Sequence, residues 1–112
     1  MTDDLDADDA KLVTLARGAR GRVGAASGAA VRDETGRTYS GADVALTSLK
    51  VSALGLAVAQ AVAAGARGAE SAVTVGNDPS PADIAAFRDL AGPGVTLLSC
   101  APDGSVRSRL TT

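Results

Sequence analysis

The chain has 112 residues, with 11 Lys and Arg against 13 Asp and Glu, a net charge of -2, no histidine and one cysteine. A chain of this size builds one core rather than two, and one cysteine excludes an internal disulfide framework. With Tyr39 and Phe87 as its only aromatic residues, the core must be filled by Ala, Val and Leu, which each bury modest area, and self-association is a natural supplement.

The first ten residues hold five aspartates, Asp3, Asp4, Asp6, Asp8 and Asp9; without them 11 basic residues face 8 acidic ones, a balance of +3. Residues 1–10 are predicted to be a flexible acidic tail, and 11–112 one domain. No basic and apolar leader pattern precedes the acidic run, which fits a cytoplasmic protein. Leu12, Leu15, Ala16, Ala19 and Val23 then recur at helical spacing, with Arg17, Arg20 and Arg22 off that stripe, and predict an amphipathic helix. Two β-like runs flank Asp33-Glu34-Thr35-Gly36, a turn-forming cluster, and predict a hairpin.

The stretch KVSALGLAVAQAVAAGARG, from Lys50 to Gly68, has Ser52 and Gln60 as its only internal polar side chains. The 16 residues between Lys50 and Arg67 fall short of the ~20 needed to cross a bilayer, so the reading is a central buried helix and no membrane span. Ser71 to Gly76 is a strand candidate. Ser80-Pro81-Ala82-Asp83 starts another helix, with Ser at the N-cap, Pro at the first helical position and Asp in the first turn. Gly94 to Cys100 reads as the last strand, and Pro102-Asp103-Gly104 as a turn before a short basic tail. The resulting order, α-β-β-α-β-α-β, predicts an α/β protein with a mixed sheet and helices on its faces.

In that order, four strings resemble the short cytidine deaminases. GAAVRDETGRTYSGADV is similar to the family's strand, acidic-Gly turn and Tyr-x-Gly-x-Asn-Val-Glu segment; SALGLAVAQAVAAGARGAESAVTVG is similar to its Cys-Ala-Glu helix and following strand. SPADIAAF falls where the family has Ser-Pro-Cys-x-x-Cys, and VTLLSCAPDG on its last strand and Asp-Gly turn. The resemblance covers about residues 12–106 and implies a three-layer α/β/α fold and a homotetramer or dimer.

It also implies a site that these residues do not fill. A zinc deaminase holds its metal with a His or Cys and two further Cys, and moves protons with a Glu that is not a ligand. The matching positions are Ser52 for the first ligand, Leu54 for the Glu, and Ala82 and Ala85 for the paired cysteines. Residues 44–69 contain no Cys, His, Asp or Glu, so no slip of the alignment restores the set. The family's ribose-contacting Asn and Glu correspond to Asp43 and Ala45, and its pocket Phe to about Ala25. No catalytic residue, metal ligand or cofactor is expected.

Asp43, Ser48 and Ser52 remain as candidate ligand contacts, against the plainer alternatives of a solvated Asp and of serines that start the helix. A Ser nucleophile has no His to activate it, and a Ser–Lys pair using Lys50 rests on sequence proximity alone. Arg17, Arg20 and Arg22 sit where a helix C-terminus favours cations, with no interleaved aromatics to stack bases, so nucleic acid is not the expected partner. Cys100 reads as a small buried apolar residue. Three functions are consistent with these residues: a non-catalytic, self-associating structural module that binds an unidentified protein partner; a pyrimidine nucleoside or nucleotide sensor without turnover; and a deaminase with an unconventional site.

Overall fold

The computed structural model describes residues 5–112. Asp6 caps the first helix, α1 (Ala7–Val23), by accepting from the Asp9 amide at 2.7 Å, with Asp8 and Asp9 in the first turn. The predicted tail boundary therefore moves. Acidic side chains suit the positive end of a helix, and Asp9 also meets the largely buried Arg32 at 3.3 Å, so residues 7–10 belong to the domain. Asp3 and Asp4 lie outside the described residues.

The predicted hairpin is β1 (Gly28–Asp33) and β2 (Thr38–Ala42), and it is followed by a two-residue pair, β3 (Val44–Ala45) and β4 (Lys50–Val51). The central helix α2 spans Ala53–Ala63, shorter than the apolar stretch that announces it, and ends ahead of Gly65 at φ +97. β5 (Ala69–Val75), α3 (Pro81–Ala91) and β6 (Thr96–Cys100) follow, and the segment read as a basic tail is a seventh strand, β7 (Val106–Thr111). Val106, Ser108 and Leu110 alternate there with Arg107 and Arg109. Basic residues on such an edge also discourage strand addition.

The main sheet runs β2-β1-β5-β6-β7, with β5 and β6 parallel and the other neighbours antiparallel. Alternation along the strands divides the core in two. Ala30, Val73, Val75, Leu98 and Cys100 face α1, whereas Ala29, Val31, Ala72 and Leu97 face α2 and α3 together with Phe87. The three-layer α/β/α prediction is met, and Cys100 is buried as expected, on the α1 side. α2 is buried on one side only: Val62 is 54% exposed, because among the described residues the helix packs on the sheet and beside α3, with no further element covering it. Val23, assigned to the buried stripe of α1, is likewise 66% exposed, at the last residue of the helix.

Gly28 allows α1 to lie against β1. A Cβ there would strike the Ala16 carbonyl and come within 2.8 Å of the Arg20 amide, neither of which is a side chain that can swing aside.

The hairpin turn is built on one buried carboxylate. Asp33 accepts from the Thr35 amide and hydroxyl at 2.8 and 2.7 Å, from the Arg37 amide at 3.0 Å and from the Tyr39 hydroxyl at 2.9 Å. Burial alone would raise its pKa; the hydrogen bonds from Thr35, Tyr39 and Arg37 outweigh burial and hold it at about 2, below the ordinary 3.8. The same contact raises the Tyr39 phenol. A pKa lowered in the folded state stabilises above the unfolded value and is lost as pH falls through the folded one. Tm is therefore expected to drop between about pH 4 and pH 2, and less steeply in Asp33→Asn; identical slopes in parallel thermal melts would show that Asp33 contributes nothing.

Candidate functional site

The N-termini of α2 and α3 converge beyond the C-terminal end of β5, and a polar cleft of about 180 Å³ lies between them. Ser52 is the N-cap of α2, accepting from the Gly55 amide at 3.0 Å. Its hydroxyl donates to Asp83 Oδ1 at 2.6 Å. Asp83 and Ser80 form a capping box on α3, the Asp83 carboxylate accepting from the Ser80 amide at 3.2 Å and the Ser80 hydroxyl from the Asp83 amide at 3.1 Å. One carboxylate thus serves both helix starts.

Asp43 closes another side. Its two oxygens accept from the Ala53 amide at 2.8 Å and the Ser27 amide at 3.0 Å, tying the start of α2 to the segment entering β1. Ser27 in turn accepts from the Asn77 amide at 3.0 Å, which holds the loop after β5 over the cleft. Gly76 makes that loop possible: it sits at φ +111, and a Cβ would meet the Ala26 carbonyl. Asp78, on the same loop, accepts from the Ser99 hydroxyl at 2.6 Å and lies 3.5 Å from Arg107.

The floor is Thr74. Like its register partner Ser99 and its strand neighbour Ala72, it faces the α2 and α3 layer. Its residue exposure is 3%, and its hydroxyl is buried without a hydrogen-bond partner.

Of the sequence-predicted residues, Asp43, Ser52 and Leu54 reach this cleft. Leu54 does so from within the core, 1% exposed and packed in the same cluster as Val58 and Phe87, so it walls the cleft without plugging it. Ser48 is exposed in the bend between β3 and β4, away from the cleft. Ala82 and Ala85 are exposed on the outer side of α3, and the α3 residue that meets Ser52 is Asp83. Ala45 and Lys50 are exposed on the small β3–β4 pair. Arg20 donates to the Ala26 carbonyl at 3.2 Å, closing the loop after α1, while Arg17 and Arg22 are exposed.

Sequence reasoning saw Asp83 only as a helix-start residue. The Ser80-x-x-Asp83 spacing carries that signal, but a partner 31 residues away in sequence leaves none. Thr74, Ser27 and Asp78 were missed for the same reason.

A model of the cytidine deaminase-like family matches residues 5–104. The chain belongs to that family. Among solved structures, the domain is similar to a cytidine deaminase from Burkholderia pseudomallei, with 24% identity, 90% of each chain covered and a TM-score of 0.80. It is also similar to a cytidine deaminase from Mycobacterium leprae, with 18% identity, 95% of this chain and 94% of that one covered, and a TM-score of 0.75. At these identities the likeness is one of fold. No curated protein matches the chain in sequence.

The family's metal does not fit this deaminase-like domain. Among the described residues no group of three His, Cys, Asp or Glu is placed to hold a metal ion. The only thiol, Cys100, lies on the opposite face of the sheet. Zinc prefers a tetrahedral set of sulfur and nitrogen donors, and the cleft offers only hydroxyls, carboxylates and the Asn77 side chain, most of the hydroxyls and carboxylates engaged by backbone amides. The cleft is lined mainly by acceptor side chains. Among the described residues, no helix is long and apolar enough to cross a membrane.

Proposed function

We propose that the protein is a non-catalytic cytidine deaminase-like domain that binds a pyrimidine nucleoside in this cleft without turnover. The observation that carries the reading is the Ser52–Asp83 hydrogen bond, which joins the two helix starts directly beside a cleft that stays open. In support, Thr74 lines the cleft and its buried hydroxyl has no protein partner, and such a group costs about 1–3 kcal/mol when left unpaired. A volume near 180 Å³ suits one six-membered ring, for a cavity of ~150 Å³ takes benzene. A sugar would extend through the open side.

Self-association is part of the proposal. Val23, Leu46, Leu49 and Val62 are exposed by more than half, and a small core gains stability when such surface is covered. We place the protein in the cytoplasm.

Metal analysis, a cytidine deamination assay and thermal shifts on one purified sample test the reading. The expected results are no stoichiometric zinc, no uridine formed, and a Tm that rises with cytidine, equivalent to about 2.7 kcal/mol at 100 times the dissociation constant. Sedimentation of the same sample is expected to give a mass above the 11.0 kDa monomer. Turnover abolished by Ser52→Ala would show an active enzyme instead, and no shift with cytidine would remove the nucleoside.

A further inference from the structure

From the charge around the cleft we infer that it selects its ligand by charge: a small planar ring bearing one positive charge and N–H donors is preferred, and phosphorylated or other anionic ligands are refused. This rests on the ligand-binding reading above. Three carboxylates, Asp43, Asp78 and Asp83, line the cleft, and no Lys or Arg does. Arg107 stands outside it, 3.5 Å from Asp78 with both side chains well exposed, and its guanidinium is also committed to the Gly76 and Cys100 carbonyls.

The two helix N-termini would ordinarily attract an anion, each with about half a positive charge. Here three of those amides are already paired. The Ala53 amide is held by Asp43, the Gly55 amide by Ser52 and the Asp83 amide by Ser80. Taken together, the two helix ends and Arg107 offset about two of the three negative charges, leaving roughly one uncompensated at the cleft.

Hydrogen-bond capacity points the same way. The Asp43 and Asp83 oxygens each accept a single bond and keep a lone pair, as carboxylate oxygens do. The second Asp78 oxygen is open. Thr74, one of the residues lining the cleft, is the independent sign of a missing partner: its hydroxyl is buried and unpaired. A ligand rich in N–H groups answers all of these at once, whereas a phosphate adds only acceptors.

A matched charge series tests this by calorimetry: 4-aminopyridinium as the cation, isonicotinamide as the neutral form and isonicotinate as the anion, with cytidine and cytidine 5′-monophosphate alongside. The cation is expected to bind about tenfold more tightly than the amide, a modest Coulomb advantage near a protein surface, and the two anions not to bind measurably. Asp78→Asn preserves an acceptor for Ser99 and takes no part in either helix cap, so it is expected to fold and to cut the cation's advantage over the amide several-fold. Asp83→Asn should act in the same direction. Thr74→Val is expected to weaken every binder, yet to raise the Tm of the free protein, because it removes an unpaired buried hydroxyl.

Equal binding of cation, amide and anion, or no effect of Asp78→Asn, overturns the inference. Cytidine binding with a flat charge order sinks charge selection and leaves the nucleoside reading standing. Cation binding without cytidine does the reverse. Failure of every probe to bind removes both.

Discussion

Phe87→Ala is expected to destabilise the domain by about 3–5 kcal/mol, at the upper end of what such truncations cost. Phe87 is the one phenylalanine, fully buried, and the only buried residue that α3 contributes. Its neighbours explain the size of the effect. The core on that side of the sheet includes Ala29, Ala53, Ala57 and Ala72, which have no side-chain freedom with which to close a hole. The cavity would therefore persist. Typical stabilities are about 5–15 kcal/mol, so the variant would stand near the edge of folding, with Tm lower by roughly 10–20 °C. Phe87→Leu keeps most of the volume and is expected to cost less than half as much. Urea midpoints of the three proteins check this; a loss below about 1.5 kcal/mol in the alanine variant would mean that α3 repacks freely.

The same residue links packing to the site. Phe87 lies one helical turn beyond Asp83, and its burial seats α3 on the sheet so that Asp83 meets Ser52 at 2.6 Å. Loosening α3 should therefore weaken ligand binding even though Phe87 does not line the cleft.

How much of this was legible in the sequence follows the range of the interactions. The Ser80-Pro81-x-Asp83 start, the Ser52 cap and the Asp33-centred turn are local devices: side chain and backbone partner lie within a few residues, and each formed where its residues predict. β7 was hidden by composition, because Arg107 and Arg109 outweigh the alternation of Val106, Ser108 and Leu110 in a segment that packs only at an edge. β3 and β4 have two residues each, too few to show a period. The start of α1 was obscured by aspartates whose value to a helix depends on which end they occupy. In the site, composition alone speaks to the zinc donor set, since no His and one Cys cannot make a zinc centre of the deaminase kind. The contacts at the cleft were not legible, because the Ser52–Asp83 bond and the placing of Thr74 join segments that only the folded sheet brings together.

Asp43→Ala is expected to cost about 3–6 kcal/mol and to abolish ligand binding together with stability, since a hydrogen bond to a charged group is worth about 1.5–3 kcal/mol and two are lost. One carboxylate accepts both the Ala53 amide, the first N–H of α2, and the Ser27 amide at the entry to β1. Without it the cleft loses the strut between its two walls. The resemblance to deaminases casts Asp43 as a sugar contact, and on that view alone its removal would weaken ligand while sparing the fold. The geometry predicts otherwise, because both oxygens also hold the backbone, so removing the side chain costs stability whether or not their remaining lone pairs meet a ligand. Asp43→Asn separates the two roles. An amide keeps one acceptor and turns an NH₂ toward the other backbone N–H, so it is expected to be nearly as unstable as alanine, though it would still hydrogen-bond a hydroxyl. Thermal melts and cytidine titrations of both variants decide between them: an Asn variant with wild-type Tm and lost affinity would make Asp43 a ligand contact, and paired loss in both would make it the strut.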